Sequence, residues 1–195
     1  MSGEESSAVA YVRRLYDNVL EWYRSADNKA QVVLGLDGAF LAFLAGAAFA
    51  KPDDLRVVVH GFTAVTWFLL AVMTVCLLGS IAAAIHCLQS RLLTRSQLAQ
   101  LVSAEDRAVG NLRPYRPAQS WFFQILAPLD RERLERTLRN VDSAFEIEAL
   151  SSQIHVLSQN VEQKHRAVNA GFLLAAITLT LFLLAGASYV AGILL

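Results

Sequence analysis

The stretch from Trp22 to Leu44 sets a charged segment directly beside an apolar one, with no turn signal between them. Its first half carries Arg24, Asp27, Asn28 and Lys29, and its second half is apolar enough to be a membrane span. Because nothing here ends a helix, we expect one helix whose polar part lies at the headgroup level of a bilayer. The whole chain is 55% apolar and 17% charged, which is too apolar for an ordinary soluble domain.

One acid lies inside the first apolar stretch. Asp37 follows Lys29 by eight residues, or roughly 12 Å at helical rise. A carboxylate at that depth is unfavourable unless it faces protein or water, so Asp37 is a candidate functional residue that we expect to face another span or a wet cavity. The alternative is a purely structural, hydrogen-bonding acid, with Arg24 and Lys29 as cytoplasmic anchors.

Three apolar runs predict the fold class, an all-α membrane protein with three transmembrane helices extended into a cytoplasmic helical and coiled-coil layer. Small residues such as Gly61, Gly79 and Ser80 allow close helix approach. A short turn is expected at 51–54. The predicted segments are a cytoplasmic helix over 1–30, a transmembrane hairpin over 31–88 (spans about 31–50 and 62–87), a cytoplasmic helical segment over 89–165, and a third transmembrane helix over 166–195.

The residues before the third span have the spacing of a coiled-coil seam. From Ile147 to Val168 apolar residues recur at steps of three and four, and Lys164 occupies a position where Leu is expected. No stop signal follows, so the last helix is predicted to begin near a capping box at Ser143 and to run nearly fifty residues. The seam needs a partner, which favours a homo-oligomer, but packing against the 7–30 helix would satisfy it as well.

The distribution of charge predicts the topology. The first thirty residues carry four Lys or Arg and the 89–168 segment carries eleven, whereas the turn between the first two spans has two beside two aspartates. The positive-inside rule therefore places the N-terminus and the central segment in the cytoplasm and the C-terminus outside.

The sequence argues against an enzyme. It contains no phosphate-binding loop, dinucleotide fingerprint, metalloprotease motif or nucleophile elbow, so no catalytic residue is predicted. Its four histidines show no metal-ligand spacing, and a net charge of zero gives no general attraction for nucleic acid. No cofactor or metal is expected. The clustered polar residues suit recognition of an anion or a base, with Arg24, Lys29 and Lys164 as donors.

Two blocks of residues carry a family resemblance. The first is W-x-x-x-A-D-x-K-A-x-x-x-L, from Trp22 to Leu34, directly before an apolar span. The second is Phe122-Phe123 followed by Q-x-x-x-L-S-x-x-x-x-x-K, from Gln153 to Lys164, directly before the last span. In this order the blocks resemble the transmembrane effector family of bacterial Pycsar anti-phage systems.

The resemblance implies an abortive-infection effector of the bacterial inner membrane. In such systems a partner cyclase makes cyclic UMP or cyclic CMP on infection, and the effector then impairs the membrane. The ligand-binding residues predicted by combining this resemblance with the polar cluster are Trp22, Arg24, Asp27, Asn28, Lys29, Phe122, Gln153, Ser158 and Lys164.

Three other readings stay open. The polar cluster could be a structural network in which Asp27 pairs with Lys164 and holds two helices in register. The protein could instead be a constitutive small channel or transporter subunit with Asp37 on its ion path, or a membrane scaffold that recruits a partner through its coiled coil.

Overall fold

The computed structural model describes residues 7–50, 52–89, 126 and 131–194. These residues contain no β-strand, and Leu126 is helical. The helices with described bounds are α1 (Ser7–Ala50), α2 (Pro52–His60), α3 (Ala64–Leu88), α4 (Arg131–Arg139) and α5 (Ser143–Leu194).

Three helices in the described part of the chain, α1, α3 and α5, are long and apolar enough to cross a membrane. The predicted all-α membrane fold is thereby confirmed. Helices α1 and α5 each continue without a break from a polar stretch into an apolar one. Helix α1 has 44 residues and α5 has 52. The absence of proline within either helix explains this continuity, because every backbone N–H can find its partner four residues earlier.

Two local predictions were wrong. The expected turn at 51–54 includes Pro52, which opens α2 at a position where a missing N–H has no cost. The expected capping box at Ser143 does not form, because the side chain of Asp142 caps the helix by accepting the N–H of Phe145 at 2.8 Å and Ser143 is already helical. Aspartate is as good a helix cap as serine, so the helix is capped by Asp142, whose carboxylate oxygen lies within reach of the N–H group.

The chain forms two compact units. Among the described residues, the first unit comprises 7–23, 126 and 131–161, and the second comprises 24–50, 52–89 and 162–194. In the first unit, Arg13 of α1 makes a two-point ion pair with Glu146 of α5. The seam residues Leu150 and Val161 are buried within this single chain, as are Val9 and Val19 of α1.

The second unit is built on α1, α3 and α5. Contacts between α1 and α3 run from Ala26–Cys87 to Asp37–Ser80, so these two helices are antiparallel. Contacts between α3 and α5 run from Ser80–Gly171 to Thr66–Ser188, so they are antiparallel as well. The core of this unit consists of Ala26, Ala30, Val33, Ala84, Cys87 and Val168.

Glycines allow close contact at three places in this unit, one of them Gly192, where a Cβ would lie 2.9 Å from Cγ2 of Thr63. A Cβ on Gly61 would lie 2.9 Å from Cε2 of Tyr189, and one on Gly79 would lie 3.1 Å from Cδ1 of Leu174. Helices in a membrane gain their association from close packing at small residues. The prediction of helix approach is therefore confirmed for Gly79 of α3, whereas Gly61 lies in the turn after α2 and lets that turn contact α5.

Candidate functional site

A buried ion pair links α1 and α5 where both helices pass from polar to apolar sequence. Nζ of Lys164 donates to Oδ1 of Asp27. The lysine side chain is 2% exposed and the aspartate side chain 28% exposed, so the ammonium is buried and the carboxylate borders solvent. This is the contact that the alternative of a structural polar network required. It also explains why a lysine occupies a seam position, because its charge pairs with an acid on the facing helix.

Small side chains around this pair let three helices come close. Ala26, Ala30 and Val168 are completely buried, and Sγ of Cys87 on α3 contacts the carbonyl of Ala26 at 3.7 Å. Removing a charge pair from water is costly, and the attraction between the charges offsets that cost only when they are in close, hydrogen-bonded contact. The direct Asp27–Lys164 contact meets that condition beside the buried core of this unit.

The other candidate ligand residues of the second unit lie on the surface. Arg24, Asn28 and Lys29 are all exposed on α1, within one helical turn of Asp27. They are accessible donors, whereas Lys164 is not. In its present conformation the structure brings Asp27 and Lys164 into direct contact, and it presents Arg24, Asn28 and Lys29 to solvent.

The remaining ligand candidates belong to the first unit or lie outside the described residues. Trp22 is 53% exposed on α1, and Ser158 is exposed on α5. Gln153 is partly buried, and its Oε1 has no hydrogen-bond partner among the residues that the structure describes. Phe122 lies outside those residues. For these four the ligand role stays a prediction.

A second polar group lies deeper in the bundle. Asp37 is 3% exposed and accepts a hydrogen bond of 2.6 Å from Oγ of Ser80 on α3. The same hydroxyl lies 3.0 Å from the carbonyl oxygen of Gly171 on α5. Asp37 thus faces other helices rather than lipid, as the sequence predicted, and one serine joins all three long helices at this depth.

A cavity of about 210 Å³ opens beside Asp37, between α1 and α5. Apart from Asp37, its polar lining residue is Thr178, whose hydroxyl donates to the carbonyl of Leu174 at 2.9 Å. Aromatic side chains from both helices, Phe40 and Phe172, complete much of the wall. The arrangement is an apolar chamber with one carboxylate in its lining.

Hydroxyl groups form a second link between α3 and α5. Oγ1 of Thr66 lies 3.0 Å from Oγ of Ser188 and 2.9 Å from Oγ1 of Thr63, the residue that caps α3. Sequence reasoning missed this cluster, and it treated Ser80 only as a small residue. Each is a polar residue within an apolar run, and that is the signal that would have marked them as interhelical partners.

Outside the spans, the pKa of Glu146 lies below its ordinary value because the Arg13 guanidinium donates hydrogen bonds to the carboxylate, at 2.5 and 2.9 Å. This pair fixes α1 to α5 within the first unit. In the described part of the chain, no group of three or more His, Cys, Asp or Glu side chains is placed to hold a metal ion.

Comparison with models of protein families matches residues 11–192 to the Pycsar effector protein domain. The matched range contains both members of the Asp27–Lys164 pair and the Asp37, Ser80 and Gly171 group. No curated protein and no solved structure matches the chain.

Proposed function

The chain belongs to the Pycsar effector family, which acts in anti-phage defence, and from this we propose that cyclic UMP or cyclic CMP activates it to impair the bacterial inner membrane. The nucleotide comes from a partner cyclase. The N-terminus is cytoplasmic and the C-terminus outside, in line with the excess of Lys and Arg near the N-terminus and in the central segment. The active form is a homo-oligomer, because three helices alone enclose little space.

The observation that carries this proposal is the polar layer at the start of the apolar helices, within the family match. There, a buried ion pair between α1 and α5 lies beside exposed donors on α1. A cyclic mononucleotide has one negative charge, which requires a cationic or amide donor. Arg24, Asn28 and Lys29 supply such donors at the surface, and Asp27 supplies an acceptor for the edge of the base.

Binding at this layer has a direct route to the helix contacts. A phosphate held by Arg24 and Lys29 brings a negative charge close to Asp27, and like charges repel. The Asp27–Lys164 contact is weakened as a result. The signal is therefore a change in the pairing of one buried lysine, read out as a change in how α1 and α5 pack.

Lys29→Ala tests the sensor because it removes an exposed donor and leaves the ion pair in place. The full-length protein is reconstituted in liposomes and dye release is measured against cyclic UMP and cyclic CMP, with cyclic AMP for comparison. Loss of one charge-assisted hydrogen bond is worth roughly 1.5–3 kcal/mol, so we expect about ten- to a hundredfold more nucleotide for half-maximal release. Arg56→Ala, which removes an exposed cation at the other end of the spans, is the matched control and keeps the wild-type response.

Four results would contradict the proposal in different ways. An unchanged dose response in Lys29→Ala removes that lysine from the sensor. Dye release that needs no nucleotide favours the constitutive channel. A co-purifying soluble partner without any membrane effect favours the scaffold. A monomer by mass photometry in mild detergent contradicts the oligomer.

A further inference from the structure

Asp37 lies in the second unit without a charged partner. It is 3% exposed, and the structure shows no ion pair between it and any Lys, Arg or His of the described residues. The basic residues nearest along the helices to the polar group of Asp37, Ser80 and Gly171 are Lys29, His86 and Arg166. They lie eight, six and five residues away on α1, α3 and α5, or about 7–12 Å of helix, and all three are exposed. An ionised carboxylate without a nearby counter-charge is very unfavourable in apolar surroundings, and such a group is more stable in its neutral form.

The hydrogen-bond chain through Ser80 has one hydrogen too few if Asp37 is ionised. Oγ of Ser80 lies 2.6 Å from Oδ2 of Asp37 and 3.0 Å from the carbonyl oxygen of Gly171. The hydroxyl group has a single hydrogen, and neither a carboxylate nor a carbonyl can donate another. Whichever neighbour receives that hydrogen, the other pair of oxygen atoms is left in contact without a hydrogen bond. Ser80 is completely buried, so water does not relieve this contact.

A proton on Asp37 completes the chain. A carboxylic acid has one O–H donor, so Asp37 can donate to Ser80 while Ser80 donates to the Gly171 carbonyl. Both contacts are then hydrogen bonds, and they join the three long helices without a buried charge. The Asp37–Ser80 bond runs in the opposite direction from the one that an ionised carboxylate would require.

The cavity beside Asp37 agrees with a neutral acid. Its volume is about 210 Å³, and apart from Asp37 and Thr178 its lining is apolar. The hydroxyl hydrogen of Thr178 is used within its own helix. Cavities of this kind stay dry and take up small hydrocarbons. Leu36, Phe172 and Leu179 in its wall are also exposed on the outside of the helices, so within a bilayer the space is open to acyl chains.

We propose that Asp37 is a neutral carboxylic acid near neutral pH, with its proton in the bond to Ser80, and that the cavity beside it takes the end of a lipid acyl chain. The site holds a proton within the membrane layer and admits hydrophobic molecules, whereas it excludes ions. This statement does not depend on activation by a nucleotide.

A hydrophobic reagent that reacts with protonated carboxyl groups tests both parts of the proposal. A carbodiimide adds to a carboxylic acid: a carboxyl oxygen bonds to the central carbon of the reagent, the acid proton moves to a nitrogen, and nothing leaves. The adduct therefore keeps the whole mass of the reagent and can be located by mass spectrometry of peptides. An ionised carboxylate lacks the proton that this addition needs.

The full-length protein in liposomes is treated near neutral pH with diisopropylcarbodiimide, which enters lipid, or with the cationic, water-soluble carbodiimide EDC. A cation is strongly disfavoured at this depth, so we expect at least about tenfold more adduct at Asp37 with the lipophilic reagent. Asp27 is the internal control, because it lies on the same helix in an ion pair with Lys164 and should stay unmodified.

Three variants locate the reaction. Asp37→Asn should remove the adduct. Ala176→Leu fills the cavity from an exposed position and should lower the labelling of Asp37. Ala187→Leu is the matched control, since Ala187 is exposed on the same helix and does not line the cavity, and it should label as the wild type does.

Infrared spectroscopy gives a second readout that does not depend on access of a reagent. The difference between wild type and Asp37→Asn near neutral pH should contain the C=O stretch of one carboxylic acid. If that variant does not assemble, isotopic labelling of the aspartate carboxyl carbons assigns the band in the wild-type protein. Absence of the band overturns the neutral acid. Equal labelling by both carbodiimides, or no labelling when the band is present, overturns the opening of the cavity to lipid.

Discussion

Two aspartates on α1, ten residues and about 15 Å apart, show two ways of burying a carboxylate at different depths. Asp27 meets the ammonium group of Lys164 and keeps 28% of its side chain exposed. Asp37 is 3% exposed and meets a serine hydroxyl. Near the headgroups a long lysine can reach a carboxylate across the helix interface. Deep in the span a second full charge would need desolvation too, and a small hydroxyl lets the helices stay close.

The largest expected effect comes from Asp27→Ala. The substitution takes the carboxylate away from an ammonium group that is almost completely buried, and breaking a buried pair costs about 3–5 kcal/mol. We expect a marked loss of folded yield and of thermal midpoint in detergent. Asp17→Ala, at an exposed position ten residues earlier on α1, is the control. Its free energy of unfolding should lie within about 0.5 kcal/mol of the wild-type value.

A charge-swapped variant separates pairing from packing. If the Asp27–Lys164 contact is what stabilises this layer, Asp27→Lys combined with Lys164→Asp should recover part of the lost yield. Normal yield in Asp27→Ala alone would mean that Lys164 does not depend on this carboxylate, and the contrast between the two aspartates would disappear.

Ser80→Ala probes the deeper carboxylate and should have a smaller effect. It removes the hydrogen bond of 2.6 Å to Asp37, and a typical intramolecular hydrogen bond is worth about 0.5–1.5 kcal/mol. Thermal unfolding is compared with that of Thr74→Ala, an exposed hydroxyl on α3 that bonds only to the Leu70 carbonyl of its own helix. Equal stability of the two variants would show that Asp37 does not rely on Ser80.

The smallest effect is expected for the exposed ion pair between Arg13 and Glu146. Its size gives a reference for the effects of the Asp27 and Ser80 substitutions. Because the pKa of Glu146 is lowered in the folded state, its contribution is complete above the ordinary value of 4.5 and is lost as the pH falls through the lower, folded pKa. The arginine side chain is 51% exposed, so the pair contributes at most about 1 kcal/mol.

The measurement is thermal stability against pH in wild type and in Glu146→Gln. The wild-type advantage over the variant should be constant near neutral pH and shrink in the acid range below 4.5. A constant difference across that range would assign the effect to packing rather than to charge.

Much of the architecture could be predicted from the sequence because the signals were long. Each of the three apolar runs depends on many residues, and so does the continuity of α1 and α5 from polar to apolar sequence. No single residue therefore determines whether these helices form. The burial of Asp37 followed from the unfavourable transfer of a charge into lipid. Lys164 stood out because a charge at a seam position requires a partner, and Asp27 was the nearest acid at the same level.

What could not be predicted depended on one residue or on an alternative of nearly equal energy. Asp142 and Ser143 both cap helices well, and only the position of the chain decides which accepts the Phe145 N–H. Pro52 fits a turn or the first turn of a helix equally well. The choice of Ser80 as the partner of Asp37 depends on the rotation of α3 about its axis, which the nearly uniform apolarity of that helix does not specify.

The hydroxyl contacts between α3 and α5 have a mechanical consequence. One tie joins Ser80 to the Gly171 carbonyl and the other joins Thr66 to Ser188, at separate depths along the same pair of helices. Because the two contacts lie at separate depths, one helix can slide along the other only if both contacts break together. Helices α3 and α5 are therefore held in register with each other in this unit.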